Sequence, residues 1–165
     1  MNIGIISDTH GSFNNDVRTF LNDVDEIWHA GDVGNIGVAD EIAAFKPLCA
    51  VYGNIDGEDV RKCYPQVQRF VCDGVDVLMT HIGGFPGHYD AGVRSLLYSR
   101  PPQLFVCGHS HILRVMYDKK LKCLCVNPGA AGNSGFHKFR TAIRFSITNG
   151  KINDLEIGEW QRAVA

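Results

Sequence analysis

The sequence predicts an α/β fold: two packed, mixed β-sheets with helices on their outer faces, in one domain spanning residues 1–165. Three observations predict it. Short apolar runs alternate with segments whose apolar residues recur at helical spacing. The first third of the chain follows a β-α-β-α-β order, which requires parallel strands covered by helices. The rest switches to paired strands around tight turns, with no linker, repeat or low-complexity stretch between the two regimes.

Ile3 to Ser7 reads as a buried strand. Val17, Phe20, Leu21 and Val24 then line one side of a helix that Asn14 or Asn15 can cap. Glu26 to His29 is a second strand. Val38, Ile42 and Phe45 mark a second helix, which must stop before Pro47 because a proline disfavours helical backbone in the residue ahead of it. Leu48 to Tyr52 is the third strand. Val67 to Cys72 and Val75 to Thr80 flank Asp73-Gly74, a two-residue hairpin signal. Val93, Leu96 and Leu97 give a third helix that ends before Pro101-Pro102. Leu104 to Cys107, Leu113 to Tyr117, Lys122 to Val126 and Thr141 to Thr148 follow as strands, and a hairpin at Asn149-Gly150 leads into Lys151 to Ile157.

Charge and composition narrow the function. Sixteen Lys+Arg against 18 Asp+Glu leave a net charge of −2, which argues against a protein that grips long nucleic acid by mass electrostatics. No segment approaches the roughly 20 apolar residues of a membrane span. Met1 to Ile6 lacks a basic leader, and its apolar stretch is too short for a signal peptide. The six cysteines form no Cys-x-x-Cys pair and sit mostly in apolar runs, the pattern of buried, reduced thiols, so a cytoplasmic protein is expected.

Five short segments, each following an apolar run, carry the chemistry: Ser7-Asp8-Thr9-His10, Gly31-Asp32, Gly53-Asn54-Ile55-Asp56, Thr80-His81 and Gly108-His109-Ser110-His111. Leaving Asp56 aside, their candidate ligands are two Asp (Asp8, Asp32), one Asn (Asn54) and four His (His10, His81, His109, His111). In α/β sheets, ligands bind beyond the carboxyl ends of strands, which is where all five segments fall. Such a donor set can hold two divalent cations about 4 Å apart. A carboxylate suits the bridging position, since its two oxygens and negative charge offset cation repulsion. Mixed nitrogen and oxygen donors favour manganese, nickel, zinc or iron over calcium.

In this order, the five segments resemble those of the calcineurin-like metallophosphoesterases, over nearly the whole chain. The compact length, Thr80-His81-Ile82-Gly83-Gly84 and Asn127-Pro128-Gly129-Ala130 resemble the small bacterial and archaeal phosphodiesterases, to which a eukaryotic retromer subunit is related. The resemblance implies a four-layer αββα sandwich. It implies that Asp8, His10, Asp32 and His111 hold one metal, and that Asp32, Asn54, His81 and His109 hold the other, with Asp32 bridging.

The expected activity is a binuclear phosphoesterase, foremost a phosphodiesterase, in which a metal-bridging hydroxide attacks phosphorus. Two divalent ions, first Mn2+ and alternatively Ni2+, Zn2+ or Fe2+, are the expected cofactors. Asp32, Asn54 and His109, held on metal, form the expected catalytic set. The expected partner is a small phosphate-ester substrate, with no stable nucleic-acid or membrane binding, in a monomer or small homo-oligomer. The rival reading is a catalytically weak scaffold for protein–protein interaction.

Many family members carry His where this chain has Ile55, which removes a general acid. His88, in a Gly/Pro loop after His81, is a candidate replacement that can contact phosphate or donate to a leaving group. Lys138 and Arg140 are candidate phosphate clamps, set against the plainer reading of surface charges. Asp56 is either an acceptor behind a metal-bound His or a turn residue. His29 either orients the metal site or packs against the sheet.

Overall fold

The computed structural model describes residues 1–162. Ten strands and four helices follow one another in this order: β1 (Asn2–Ile6), α1 (Asn15–Phe20), β2 (Glu26–His29), α2 (Ile36–Phe45), β3 (Leu48–Ala50), α3 (Glu58–Arg61), β4 (Val67–Cys72), β5 (Val75–Thr80), α4 (Arg94–Ser99), β6 (Leu104–Val106), β7 (Leu113–Asp118), β8 (Cys123–Pro128), β9 (Phe139–Thr148) and β10 (Lys151–Gln161). They build two five-stranded sheets, ordered β10-β9-β1-β2-β3 and β4-β5-β6-β8-β7. The expected parallel pairing of β1 with β2 and of β2 with β3 is present. In the second sheet β5, β6 and β8 also run parallel, while β4 and β7 close its edges antiparallel.

The strand period of two sorts the side chains into three apolar layers. Ile3 and Ile5 of β1 meet Val77 and Met79 of β5 and Leu104 and Val106 of β6 between the sheets. Ile6 and Ile27 face outward onto Val17 and Leu21 near α1 and Ile42 of α2. Leu78 and Phe105 face outward on the other side, onto Val93 and Leu97 at α4. The result is the four-layer αββα sandwich. Trp28 is fully buried between the sheets, edge-on to Phe70 at 5.1 Å and to Phe145 at 5.9 Å.

Caps and breakers set the helix ends. The Asn35 side chain accepts the Val38 N–H at 3.1 Å and starts α2, and Lys46 turns extended ahead of Pro47. Asn14 starts α1 without a side-chain cap; its amide instead donates to the Ala131 carbonyl at 3.5 Å. The four-residue α3 has no counterpart in the sequence reading, because one turn is too short to show a period.

Arg140 departs from its expected role. Its guanidinium makes a two-pronged contact with Asp16 in the first turn of α1, with only 9 % of its side chain exposed. It joins β9 to α1 and is not brought to the ligand segments. The two residues lie 124 positions apart, a pairing no local pattern announces.

Because the Arg140 charge is buried, removing Asp16 strands it. Asp16→Ala is expected to cost about 2–3 kcal/mol, read as a lower urea midpoint at constant slope. Glu58→Ala, which breaks the exposed pair with Lys62, should leave the midpoint in place. Equal shifts in the two variants would contradict this account.

Candidate metal centre

All seven expected ligands leave the carboxyl ends of the parallel strands β1, β2, β3, β5 and β6, and these ends meet at one edge of the sandwich. Two triads of ligand atoms form there: Asp8, His10 and His111, and Asp32, His81 and His109. Within each, the atoms lie within 4.8 Å of one another. Asn54 Oδ1 stands 3.0 Å from His109 Nδ1, which adds it to the second group.

Asp32 lies between the groups. Its Oδ2 is 3.5 Å from His10 Nε2 on one side and 3.2 Å from His81 Nε2 on the other. Asp8 Oδ1 is 3.2 Å from His111 Nε2 and 3.6 Å from His10 Nε2. These approaches do not have hydrogen-bond alignment. Asp8 Oδ1, His10 Nε2 and His81 Nε2 are buried with no hydrogen-bond partner among the described residues, and Arg140 Nε is the one other such side-chain atom. An orphaned buried polar atom costs on the order of 1–3 kcal/mol, so three aimed at one another call for something between them. Nitrogen and carboxylate donors in two groups around a shared carboxylate fit a pair of divalent cations.

The atoms facing away from this centre are tied down. Ser7 Oγ and the His109 backbone N–H donate to Asp8 Oδ2 at 2.7 and 3.1 Å. The Ile55 N–H donates to Asp32 Oδ1 at 3.0 Å. His81 Nδ1 donates to the Ala30 carbonyl at 2.7 Å, which turns Nε2 inward. His111 is held by His137, which no motif picked out although it lies beside Lys138. The Gly132 carbonyl can only accept, so His137 Nε2 donates to it at 2.7 Å, and His137 Nδ1 then accepts the His111 Nδ1–H at 3.1 Å. Burial holds the His137 pKa below 6.5, in keeping with this neutral form.

Backbone conformation and close approach explain the motif spacing. Among the described residues, nine non-glycine residues have positive φ, and five of them are candidate ligands: Asp8, His10, Asp32, His109 and His111. Left-handed backbone of this kind stores on the order of 1–3 kcal/mol per residue and concentrates at functional sites. Gly53 and Gly108 permit the loops to touch. A Cβ at Gly53 would lie 2.0 Å from Asp32 Oδ1, and one at Gly108 would lie 2.0 Å from Ser7 Oγ. Asp56 proves to be a third kind of residue, neither a partner of a metal-bound His nor a plain turn. Its carboxylate accepts the backbone N–H groups of Val33, Gly34 and Gly53 and so ties the Asp32 loop to the Asn54 loop.

A family model, the calcineurin-like phosphoesterase superfamily domain, matches residues 1–150. The chain belongs to this superfamily. Its members use divalent metals. Among solved structures, an archaeal phosphodiesterase is 22% identical, covers 97% of this chain and 100% of its own, and superposes with a TM-score of 0.77. Vps29 from Entamoeba histolytica, as a single mutant, is 12% identical with a TM-score of 0.76 over 98% of this chain and 99% of its own. A Streptococcus pneumoniae protein described as a predicted phosphoesterase is 19% identical with a TM-score of 0.67 over 98% of this chain and 89% of its own. At these identities the likeness shows the fold. A comparison with curated proteins returned no match.

Within this phosphoesterase-family domain, His88 is exposed and lines a hollow that also contains His109. Lys138 is exposed, and only its backbone carbonyl is engaged, accepting from the Arg162 N–H at 3.0 Å. His29 is a packed, neutral histidine: burial lowers its pKa to about 4, its Nδ1 accepts the Gly31 N–H and its Nε2 bonds Thr9 Oγ1. Ile55 is 47% exposed at the mouth of the centre, beside His10 and His111. The cysteines carry no disulfide among the described residues, and burial raises the Cys107 thiol to about 12. No described helix is long and apolar enough to cross a membrane.

Without metal, protons balance the centre. Burial disfavours the charge on Asp8, but the facing histidines outweigh it and hold the carboxyl well below the usual range. Asp32 shifts down in the same way, with His81 and the Ile55 N–H overcoming burial. The Asp8 carboxylate raises His10 against a smaller opposing effect of burial. For His81 burial is the largest influence and opposes charging, yet Asp32 and Asp8 together raise its pKa above 6.5. A raised histidine stabilises fully below its unfolded value of 6.5 and loses that contribution as pH climbs through its folded value. The lowered pKa values of His29 and His137 act only below 6.5. Chelator-treated protein should therefore melt at progressively lower temperature as pH rises above 6.5, with the fall reduced in His81→Gln. A melting temperature that is flat or rising over that range would contradict this balance.

Proposed function

We propose that this chain is a metal-dependent phosphoesterase acting foremost on phosphodiesters, with residues 1–165 forming a single domain. The observation that carries the reading is the set of unsatisfied buried atoms on both sides of Asp32 Oδ2. Asp8, His10, Asp32 and His111 would hold one cation, and Asp32, Asn54, His81 and His109 the other. When bound, the cations supply Lewis acidity toward phosphoryl oxygens and acidify water at neutral pH. Manganese leads the candidates, with nickel, zinc and iron as alternatives, because imidazole and carboxylate suit all four.

The chain's own residues set the rest. Asp32 would share its carboxylate between the two groups, and the Ile55 N–H keeps it in place. His137 fixes the His111 ring so that Nε2 faces inward. Ile55 offers no proton, which favours esters whose leaving group departs without one, and a diester releasing a weakly basic alcohol fits this. The archaeal neighbour's description as a phosphodiesterase supports that choice. A second reading has its own support: Ile55, Ile112 and Phe136 are exposed apolar residues around the mouth, as a protein-binding scaffold would present, and Vps29 shares the fold.

Protein loaded with Mn2+ should cleave an aryl phosphodiester, and Asp32→Asn or His109→Ala should lower kcat at least about 100-fold. Metal uptake without hydrolysis of any phosphate ester would favour the scaffold, and retained turnover in both variants would contradict the reading. His137→Ala should weaken metal affinity by about 10–100-fold, measured by calorimetric titration, because an unheld His111 is free to turn its ring away. Wild-type affinity in that variant would remove His137 from the account.

A further inference from the structure

Beside the metal centre, on the far side of His109, lies a second hollow of about 320 Å³. Phe85 lines it. The guanidinium carbon of Arg114 sits 3.7 Å from the Phe85 ring centroid, and the His88 ring packs on the same side chain at 4.7 Å. Arg114 is half-buried, yet its N–H groups have no hydrogen-bond or ion-pair partner among the described residues. The other partly or fully buried arginines among the described residues all have a partner: Arg69 is matched by Asp76, Arg140 by Asp16, Arg18 by Glu41 and Arg144 by Glu156, and Arg162 donates to the Gly135 carbonyl. Ser110 adds a third donor. Its Oγ accepts the Asn127 amide at 3.1 Å and the Ile112 N–H at 3.2 Å, which leaves its own O–H free to donate, and Ser110 lines the hollow. Asp90, the one carboxylate on the wall, accepts the Gly92 N–H at 2.8 Å and does not pair with Arg114.

The loop carrying this arrangement is built before any ligand arrives. The His88 N–H donates to the Phe85 carbonyl at 2.8 Å, and the Asp90 N–H to the Gly83 carbonyl at 3.0 Å. Gly84 has φ +76°, and a Cβ there would lie 2.2 Å from the His88 carbonyl oxygen. A guanidinium held over an aromatic ring keeps its fork of donors ordered, which lowers the entropy cost of gripping an oxyanion.

We propose that this hollow is an anion subsite: the substrate carries, beyond the scissile phosphodiester, a second oxyanion (phosphate or carboxylate) that Arg114 grips as a fork, with Ser110 and His88 at its flanks. The inference rests on the phosphoesterase reading and narrows its substrate class. His109 joins the two sites, since it belongs to the candidate donor set of the metal centre and also lines this hollow. A substrate whose phosphoryl group lies at the centre has its remainder directed past His109 onto Arg114.

The test uses three 4-nitrophenyl alkyl phosphodiesters that differ only in the end of a short alkyl arm: hydroxyl, carboxylate or phosphate. With Mn2+-loaded wild type, kcat/KM should be about tenfold or more higher for at least one charged arm than for the hydroxyl arm, carried mainly by KM. The better of the two charged arms identifies the oxyanion. Arg114→Met keeps the packing on Phe85 and should bring the charged-to-hydroxyl ratio to about one. Arg114→Lys, which keeps the charge without the fork, should give an intermediate ratio and guards against loss of fold in the first variant. Equal turnover of all three arms by wild type, or a ratio that survives Arg114→Met, overturns the subsite while leaving the phosphoesterase reading intact. No turnover of any arm overturns both.

Discussion

Two buried carboxylates facing inward-turned imidazole nitrogens are the constraint on which the rest of this molecule depends. Asp8 and Asp32 are almost without solvent, and their facing oxygens have no hydrogen-bond donor aligned on them. Removing an unpaired carboxylate from water is costly, and two side by side are worse. Among the described residues the fold accepts this at the edge where parallel strands from both sheets end. Protons on His10 and His81 can balance the charge, and cations would balance it more completely. Much of the surrounding detail, from the donors behind Asp8 to the carbonyl behind His81, holds these atoms in register.

The sandwich supplies that register through its rigid parts. Every candidate ligand sits within a few residues of a strand end, so its backbone position is fixed by a buried ladder. The loops between are then cross-tied: Asp56 joins two of them through three backbone N–H groups, and Gly53 and Gly108 let others pass at contact distance. Left-handed backbone at five candidate ligands is the counterpart of this rigidity. Strain of that kind persists where the surroundings over-determine it.

Much of this was legible in the sequence, for physical reasons that differ by element. The hairpin of β4 and β5 was readable to the residue, because Asp73-Gly74 demands a two-residue turn and strict apolar patterning fixes the register around it. The central strands and the ligand segments at their ends were readable because buried parallel strands are near-continuous apolar runs. Strand order was not, since the pairing of β9 with β1 joins residues more than 130 positions apart. Arg140 was misread for the same reason: only the folded chain brings Asp16 to it. His137 escaped because a lone histidine in a polar loop has no periodic or spacing signal. Arg114 read only as one residue of the strand from Leu113 to Tyr117, and the fold sets it over Phe85, in the hollow that His109 also lines.

The central claim is that the unsatisfied donors form one two-metal centre sharing Asp32. Elemental analysis of protein dialysed against Mn2+, combined with anomalous diffraction at the manganese edge, tests it most directly. The account predicts two ions per chain, one among Asp8, His10 and His111 and one among Asn54, His81 and His109, with Asp32 touching both. One ion per chain away from Asp32, or no bound ion at all, would contradict it.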